Sequence, residues 1–500
     1  EYFLIDREKY EQRLDLKLCG RTILGAKPPK GQEMEDHYCG RIRLRVASFM
    51  RQLDEALWEL GVSSKTEHNE AAPAQHELAP IFESVNIACD HNQLTMEVMR
   101  EIAKKNNLAC LLHEKPFAGV NGSGKHNNWS LSTDDGQNLL DPGKTPYENL
   151  QFLVFISAII IGVDKYADLL RMTTANTGND FRLGGNEAPP TIISIFLGDQ
   201  LTQVLENIAN GDNPNRTPSC VLETGVATLP KLPKDGSDRN RTSPFAFTGN
   251  KFEFRMVGSS SSISIANYVL NTIAADTLFE IAERLETCSD FDREIQKIVQ
   301  EAVHTHGKVI FNGNNYTDEW VAEAAKRGLP NLSNTVDAIG AMVEPKNIEL
   351  MERHHVMSET ECFSRYEIML ENYCKVVTIE GNTMEEMCRR EILPHMVEFA
   401  GKLAESYESL AKMDIFNPNI ARFVKQLSEL ISIVDDLDGK LENVLEQSEH
   451  ITGEVENAEF HRDHIRKVME ELRCAVDRAE RLVSSDAWPI PTYTDLLYRV

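Results

Sequence analysis

Residues 121–133 read NGSGKHNNWSLST, a glycine-rich turn that runs directly into a short polar and aromatic segment. The segment predicts a β-strand that carries His126 and Asn128 on one face, because side chains two apart on a strand point the same way. Three interpretations fit the stretch alone: a phosphate loop, a metal ligand on a strand, or a polar hairpin. The phosphate loop is excluded because the spacing GxxxxGK[ST] is absent. The other two depend on what partners the rest of the chain supplies.

The chain on either side of this turn predicts both strands and helices. Upstream, the predicted elements are a strand at 1–6, a helix at 42–60, extended chain at 62–80 with a kink at Pro73, a helix that ends near 106 and a strand at 108–114. Downstream, they are a helix at 146–170, a strand at 250–258 and mostly helix from about 262. Residues 173–250 are rich in Gly, Pro, Asn and Thr and predict long loops, which in a compact domain are usually functional or disordered.

Apolar residues between 427 and 482 recur every three or four positions, which is typical of helices. Gly439 and Gly453 interrupt the pattern, so we expect two long helices that pack as an antiparallel hairpin. We expect this segment to pack or assemble and to carry no chemistry.

The composition excludes some classes of function. The 500 residues carry a formal net charge of −26, which argues against a nucleic-acid backbone or an anionic membrane as the main partner. The ten cysteines are scattered without a CxxC pair, which favours reduced thiols in the cytoplasm. The longest apolar run, at 152–163, is too short to span a bilayer and predicts a buried helix. No signal peptide is visible.

Carboxylates supply candidate metal ligands in separated stretches. Glu70 and Glu77 flank the predicted kink, which could bring both to one point. Glu253 and Arg255 share a strand face, and Glu1 opens the first strand. Hard divalent cations prefer carboxylate oxygen with some imidazole. Each residue alone is weak evidence for a metal site, since a histidine on a strand is more often a satisfied core group than a ligand.

Glycine-rich segments add charged groups of both signs. Arg182 and Glu187 lie in FRLGGNEAPPT, and Arg241 lies in DRNRTSP. Metal ions and arginines neutralise the charge on a phosphoryl group in transfer. A carboxylate cluster together with guanidinium groups therefore indicates phosphoryl transfer to a carboxylate.

Four motifs, in this order, resemble those of glutamine synthetases: E-x-x-P-x-Q-x-E, NGSGKHNNWS, RLGGNEAPP and NRTSPFAFTGNKFEFR. The long helical C-terminus resembles that of the type III branch. The resemblance implies an α+β fold, in which a curved antiparallel sheet is backed by helices and followed by a long helical C-terminal extension. It implies ATP-dependent ligation of glutamate and ammonia to glutamine through γ-glutamyl phosphate.

The resemblance also implies cation and nucleotide sites. The residues that resemble ligands of the first divalent cation are Glu1, Glu70 and Glu77. Those that resemble ligands of a second, nucleotide-associated cation are His126 and Glu253, and the family has one more carboxylate two positions before Glu1. Positions that match residues near the nucleotide are Asn128, Ser130 and Lys251. The implied cofactors are two or three Mg²⁺ or Mn²⁺ ions per site, with ATP as co-substrate.

Substrate roles follow in the same way. The residues that resemble those holding glutamate are Asn121, Gly122, Arg182 and Arg255. Arg241 resembles the arginine that stabilises the phosphoryl group in flight. Glu187 resembles the carboxylate that closes the site and takes a proton from ammonium, a role that suits a lid over an intermediate that water would hydrolyse.

The chain departs from the bacterial type I pattern at Ala246, where those enzymes carry a second phosphate-directed arginine. A polar insertion at 206–239 has no derivable role. In the family an N-terminal β-grasp domain of a neighbouring subunit completes each site. No such domain is recognised in the given sequence, so either it lies upstream of the given residues or the fragment is not competent alone. The predicted divisions are 1–300 for the catalytic domain, 301–415 for its helical continuation, 416–485 for the hairpin and 486–500 for the C-terminal tail.

The implied assembly is a homo-oligomer, a dodecamer of two hexameric rings, with neither nucleic acid nor membrane as a partner. Two alternatives remain. One is a relative that joins glutamate to a larger amine such as a polyamine or ethanolamine. The other is a structural or regulatory descendant that keeps the fold without the chemistry.

Overall fold

The structure is a computed structural model and describes residues 1–185, 187–212, 221–222, 232–233 and 240–500. Its residues group into two compact units. The first unit comprises Glu1–Ser123 and Glu367–Val500, and the second comprises Gly124–Tyr366.

The N-terminal part of the first unit contains four strands and four helices. They are β1 (Tyr2–Asp6), α1 (Arg7–Glu11), α2 (Leu14–Cys19), α3 (Leu44–Glu59), β2 (Ser64–Asn69), β3 (Gln75–Pro80), α4 (Val85–Lys105) and β4 (Leu108–Leu111). The strands form one antiparallel sheet in the order β2-β3-β1-β4. The predicted strand at the N-terminus and the predicted helices α3 and α4 are confirmed.

Strand β1 is apolar from Tyr2 to Ile5 because both of its faces are covered there. Tyr2 and Leu4 pack into a cluster with Phe49 and Leu53 of α3. Phe3 and Ile5 face a second cluster that includes Tyr493, near the C-terminus. Burying each large apolar side chain contributes about 1.5–3 kcal/mol, so this strand is the centre of the unit's core.

The stretch predicted as extended chain with a kink at Pro73 is instead a β-hairpin. Strands β2 and β3 pair antiparallel, with His68 opposite Glu77. The prediction of a kink is wrong because the chain reverses fully between Asn69 and Gln75, and Pro73 lies inside the turn.

The C-terminal part of the first unit is helical. Its elements are α14 (Glu359–Met387, which enters this unit at Glu367), α15 (Leu393–Ala411), α16 (Pro418–Ser448), α17 (Glu454–Phe460), α18 (Arg466–Glu480) and α19 (Tyr493–Leu497), with π-helical turns at Cys388–Ile392 and His461–Ile465. The two long helices predicted within 427–482 are present as α16 and as the helical segment from α17 to α18, and α16 packs against both α15 and α18. The predicted interruption at Gly439 is wrong, since α16 continues through it.

In its described residues, the second unit has six strands and ten helices or helix segments. They are β5 (Gly124–Trp129), α5 (Leu150–Lys165), α6 (Ala167–Met172), α7 (Asn179–Arg182), β6 (Ile195–Phe196), α8 (Asp199–Asn210), β7 (Val221–Leu222), β8 (Leu232–Pro233), β9 (Phe245–Phe247), β10 (Phe252–Gly258), α9 (Ser264–Thr287), α10 (Phe291–His304), α11 (Asp318–Lys326), α12 (Thr335–Ile339), α13 (Pro345–Arg353) and the first residues of α14, with 3-10 turns at Gly307–Val309 and Gly340–Val343. The predicted strands at 124 and 252 are confirmed, which confirms an α+β fold.

Four strands of this unit form a sheet in the order β5-β10-β9-β6. The expected antiparallel pairing holds for β5–β10 and β10–β9, whereas β6 pairs parallel with β9. The helix α5 is apolar on most sides and packs against α9 and α10, as expected of a buried helix. Within the described residues, no helix is both long enough and apolar enough to cross a membrane.

Part of the segment predicted as long loops is helical. Helix α8 buries Leu201, Val204 and Leu205, a helical spacing that the surrounding Gly and Asn residues concealed. Most of the polar insertion at 206–239 lies outside the described residues.

Candidate active site

The β2–β3 hairpin brings two carboxylates and an imidazole together. His68 Nε2 lies 3.0 Å from Glu70 Oε1 and 3.1 Å from Glu77 Oε2. One ligand atom from each of the three residues lies within 4.8 Å of the other two. The expected convergence of Glu70 and Glu77 is therefore present, although a hairpin produces it rather than a kink.

A tight turn after β2 creates this arrangement. The Glu70 backbone N–H donates to Gln75 O at 2.9 Å, and the Gln75 N–H donates to Ala72 O at 3.2 Å. Ala74 adopts φ 62°, a left-handed backbone that is uncommon for a residue with a Cβ. The reversal returns β3 alongside β2, so residues seven apart in sequence become neighbours.

Asn121 and Gly122, predicted to hold glutamate, lie against this turn in the first unit. Gln75 Nε2 donates to Gly122 O at 2.9 Å. Asn121 exchanges two hydrogen bonds with Gln32: its N–H donates to Gln32 Oε1 at 2.8 Å, and Gln32 Nε2 donates to Asn121 Oδ1 at 2.7 Å. Both predicted residues are thus fixed by side-chain amides of the same unit.

Glu1 lies beside the same strand. The ladder pairs Tyr2 with His76, and continuing it by one residue places Glu1 opposite Glu77. Glu1 is not a member of the convergent group of His68, Glu70 and Glu77.

Two buried titratable groups lie on the same hairpin outside this group. Burial, together with nearby His68, lowers the pKa of His76 to about 4, so its ring is neutral at pH 7. Burial and the charge of Asp54 raise the pKa of Glu67 to about 8. The buried part of the hairpin therefore adds little charge to the ligand cluster.

The second group of predicted residues lies on strands β5 and β10. His126, Asn128 and Ser130 alternate along β5 and just beyond it, and all three are exposed. Glu253 pairs directly with Asn128 and is buried. The predicted common face is therefore present, and His126 is not a core histidine.

A β-bulge in β10 follows Phe254. The register changes from Phe254 opposite Asn127 to Val257 opposite Lys125, so β10 carries one extra residue. Arg255 lies in this bulge, where its Nε and Nη2 donate to Glu253 Oε2 at 3.2 and 2.8 Å.

Arg182 is buried and bonds to the backbone of the bulge. Its Nη2 donates to Arg255 O at 3.0 Å, and its Nη1 donates to Met256 O and Val257 O, each at 3.3 Å. Gly124 makes this possible, because a Cβ there would lie 1.8 Å from Arg182 Nη2. The second glycine of the turn in NGSGKH thus makes room for a guanidinium.

Glu187 and Arg241 meet at the surface of the second unit. Arg241 Nη1 donates to Glu187 Oε1 at 3.3 Å, and the side chains are 69% and 43% exposed. Glu187 adopts φ 69°, again a left-handed backbone. Such strain in a residue other than glycine is concentrated at functional sites.

The predicted nucleotide residues adjoin the β9–β10 turn. Ser130 Oγ donates to Asn250 O at 3.2 Å, next to Lys251, whose carbonyl accepts from Thr248 N–H at 2.8 Å. Asn128 Nδ2 lies 3.4 Å from His126 O. Asn128 and Ser130 are exposed and Lys251 is half-buried, and the three form a polar strip.

His68 is the residue that sequence reasoning missed. It lies two positions before Glu70, and the strand period of two could have identified it. Its Nδ1 is buried without a hydrogen-bond partner among the described residues. The signal was obscured because the histidine precedes the motif rather than lying within it.

Comparison with known proteins agrees with these features. A family model described as glutamine synthetase, catalytic domain, matches residues 1–194, and one described as glutamine synthetase C-terminal domain matches residues 294–411. A glutamine synthetase of Butyrivibrio fibrisolvens is 46% identical over 100% of this chain and 71% of its own length. A type-3 glutamine synthetase of Dictyostelium discoideum is 44% identical over 100% of this chain and 69% of its own length.

A third relative, a glutamine synthetase of Bacteroides fragilis, is 39% identical over 100% of this chain and 70% of its own length. This similarity over the whole given chain supports ATP-dependent synthesis of glutamine from glutamate and ammonia as the activity. The chain belongs to the glutamine synthetase family.

Proposed function

We propose that the residues described above perform this ligation in two tasks, cation binding on the β2–β3 hairpin and handling of anionic groups in the second unit. The observation that carries the proposal is the convergence of His68, Glu70 and Glu77. Two carboxylates and one imidazole directed at a common point are a donor set for a divalent cation.

The donor set fits Mg²⁺ or Mn²⁺, and the imidazole favours Mn²⁺ of the two. Glu70, Glu77 and His68 would hold the cation, with Glu1 at the adjacent position of the sheet. When bound, the cation neutralises negative charge on substrate oxygens, which makes a carboxylate able to accept a phosphoryl group. His126 and Glu253 are the proposed ligands of the nucleotide-associated cation.

The arginines divide into two kinds by their surroundings. Arg241 is exposed and forms a loose ion pair with Glu187. A phosphoryl group can therefore displace the Glu187 carboxylate and accept hydrogen bonds from both N–H edges of the guanidinium. Arg182 and Arg255 are buried among carbonyls and Glu253. They are the proposed contacts to the carboxylate groups of glutamate. Asn121 and Gly122, in the first unit, are also proposed to bind glutamate.

Glu187 is the proposed acceptor of the ammonium proton. Once a phosphoryl group occupies Arg241, the Glu187 carboxylate attracts ammonium and takes its proton. Ammonia then attacks the acyl phosphate, the amide bond forms and phosphate leaves. Asn128, Ser130 and Lys251 are the proposed contacts to ATP along the polar strip.

The finer features of the assembly belong to the same proposal. We infer a homo-oligomer, a dodecamer of two hexameric rings, and a cytoplasmic location. All nine cysteines in the described ranges are free thiols, which agrees with a reducing compartment.

An acceptor panel tests the function. Full-length protein is incubated with ATP, glutamate and Mg²⁺ or Mn²⁺, and phosphate and amide product are measured with ammonium, with a polyamine or ethanolamine, and with no acceptor. Phosphate and glutamine formed together with ammonium support the proposal. Product from the larger amine alone assigns the protein to the amine-ligase relative, and no turnover from an intact oligomer assigns it to the non-catalytic descendant.

The Glu187→Ala variant tests the proton-accepting role in the same assay. Removing the carboxylate should lower glutamine formation more than glutamate-dependent phosphate release, because phosphoryl transfer does not use it. An equal loss of both products would refute this role.

A further inference from the structure

Gln32 exchanges two hydrogen bonds with Asn121, one of the residues proposed to bind glutamate. The Asn121 backbone N–H donates to Gln32 Oε1 at 2.8 Å, and Gln32 Nε2 donates to Asn121 Oδ1 at 2.7 Å. Asn121 is 3% exposed. Gln32 lies 89 residues earlier, in the segment between α2 and α3, and both residues belong to the first unit. A side chain from a distant loop is therefore in direct contact with the glycine-rich turn.

The backbone N–H of Asn121 decides the orientation of both side-chain amides. A backbone N–H can only donate, so the atom of Gln32 that faces it is the amide oxygen. The Gln32 nitrogen then faces the Asn121 side chain and donates to it, so the atom of Asn121 that accepts is also the amide oxygen. The Asn121 oxygen is thus engaged with Gln32, and what its side chain offers a ligand is the N–H donor of Nδ2.

Contacts elsewhere in the first unit hold the loop that carries Gln32. The hydroxyl of Tyr498, near the C-terminal end, donates to Lys30 O at 2.6 Å and lies 3.1 Å from Gly31 O. The carbonyl of Gln32 accepts from the Glu35 N–H at 3.0 Å. Gln32 therefore keeps its place through bonds that do not involve Asn121.

The backbone on either side of Asn121 is also fixed by side chains. Lys115 Nζ donates to Val120 O at 2.5 Å, and Gln75 Nε2 donates to Gly122 O at 2.9 Å. With both neighbouring carbonyls held, the freedom that remains at this position is rotation of the Asn121 side-chain amide. Gln32 removes that freedom.

We propose that Gln32 is a positioning residue that turns the N–H side of the Asn121 amide toward glutamate and so sets the affinity for this substrate. An ionised carboxylate only accepts hydrogen bonds, so an amide N–H complements it, whereas an amide oxygen in the same place would repel it. Which way the Asn121 amide points therefore decides whether it helps or opposes binding. This inference rests on the proposed function, in which Asn121 binds glutamate.

Gln32→Glu tests the proposal in the full-length protein with ATP, ammonium and Mg²⁺. One carboxylate oxygen still accepts from the Asn121 N–H, but the other replaces a donor by an acceptor. The Asn121 amide should then rotate, donate Nδ2 to the new carboxylate and turn its oxygen toward the substrate. We expect the KM for glutamate to rise by about 10- to 100-fold, the effect of losing a hydrogen bond to a charged group. The kcat and the KM for ATP should stay close to the wild-type values.

Gln32→Met separates this effect from repulsion by the added charge. The variant is neutral and leaves the Asn121 amide to populate both orientations, so the KM for glutamate should rise by about twofold to tenfold. Thermal unfolding should rank the two variants in the opposite order, because methionine removes both hydrogen bonds whereas glutamate keeps the one from the backbone N–H. An unchanged KM in Gln32→Met would overturn the proposal, as would a KM that follows thermal stability.

Gln52→Glu is the matched control, since it makes the same change in a second glutamine–asparagine pair of the first unit. Gln52 Nε2 donates to Asn106 Oδ1 at 3.2 Å, and Asn106 Nδ2 donates to Gln52 Oε1 at 3.1 Å. Neither residue is a proposed site residue, so the KM for glutamate should keep its wild-type value. A Gln32→Glu variant whose KM matches that of this control would overturn the proposal.

Failure of the proposed function would look different. A wild-type protein that forms no glutamine would refute the function itself. A wild type that forms glutamine, with an Asn121→Ala variant whose KM for glutamate is unchanged, would refute the role of Asn121 and this inference with it. A raised KM in Asn121→Ala together with unchanged values in both Gln32 variants would overturn the inference alone.

Discussion

Replacing Gly124 with alanine should destabilise the second unit through Arg182. A Cβ at position 124 would lie 1.8 Å from Arg182 Nη2, and real contacts of this kind are essentially never below 3.0 Å. The guanidinium must therefore retreat from backbone carbonyls that it now reaches at 3.0–3.3 Å. Losing two hydrogen bonds to a buried charged group costs about 3–6 kcal/mol.

Thermal unfolding of the full-length protein at fixed concentration measures this cost. For a unit of this size, about 2–4 °C of melting temperature corresponds to each kcal/mol, so Gly124→Ala should lower the melting temperature by about 6–24 °C. Gly185→Ala is the control, since a Cβ there meets nothing within 4 Å. It should change stability by less than about 0.5 kcal/mol.

A double-mutant cycle separates this cause from a general defect. If Gly124→Ala acts by displacing the guanidinium, it should cost much less when Arg182→Met is already present. Additive effects of the two substitutions would refute the reasoning, as would a Gly124→Ala variant as stable as Gly185→Ala.

Three further outcomes follow from other parts of the structure. His68→Ala should weaken Mn²⁺ binding, which titration calorimetry measures. Loss of an outer hydrogen-bond partner lowers the affinity of a metal site by about 10- to 100-fold, and loss of His68 should lower it by at least as much. Unchanged affinity would show that His68 is not a ligand. Gly439→Ala should raise the free energy of unfolding by about 0.5–1 kcal/mol, because a Cβ there meets open space inside helix α16, and any loss in a melting experiment would contradict this. Burial raises the pKa of Glu380, but the charge and hydrogen bonds of Arg21 lower it by more, so the pKa lies below the usual glutamate value. The Arg21–Glu380 pair therefore contributes stability that is present at neutral pH and is lost as the pH falls. Arg21→Met should therefore lower the free energy of unfolding by about 3–5 kcal/mol at pH 7 and by less near pH 4, because it leaves the buried Glu380 carboxylate without its arginine. A loss of stability that stays constant with pH would contradict this explanation.

Sequence reasoning correctly predicted the elements whose pattern of buried residues can be read from neighbouring positions in the chain. The apolar run from Tyr2 to Ile5 predicts a strand, and each of its side chains meets a core on one face or the other. The β2–β3 hairpin was not predicted, since a left-handed backbone at Ala74 leaves no mark on the residue type. A proline inside a turn and a proline at a kink look alike in sequence.

The prediction for helix α16 failed for a different reason, because packing outweighed the tendency of a glycine to interrupt a helix. Glycine in a helix interior costs about 0.5–1 kcal/mol, which suggested a break at Gly439. Burial of Leu430, Val434 and Leu441 on the same helix offsets that cost several times over. The helix therefore continues through the glycine.

The residues of the candidate site also fall into two groups, those placed by local strand geometry and those placed by contacts with distant parts of the chain. Residues two apart on a strand, such as His126 and Asn128, were placed on one face correctly because strand geometry alone decides it. Arg255 shares the predicted motif, yet the bulge after Phe254 decides its surroundings, and an extra residue in a ladder depends on both strands at once. His68 was missed because its partner Glu77 becomes a neighbour only through the turn.

The bulge also explains why three distant motifs depend on one another. The carbonyls of Arg255, Met256 and Val257, in and beside the bulge of β10, accept hydrogen bonds from a side chain, and a buried carbonyl needs a donor. Arg182 supplies that donor from one motif, and Gly124 makes room for it from another. The glycine-rich turn is therefore neither a phosphate loop nor a simple hairpin: it admits the guanidinium that holds the bulge, and the bulge in turn sets the position of Arg255 beside Glu253.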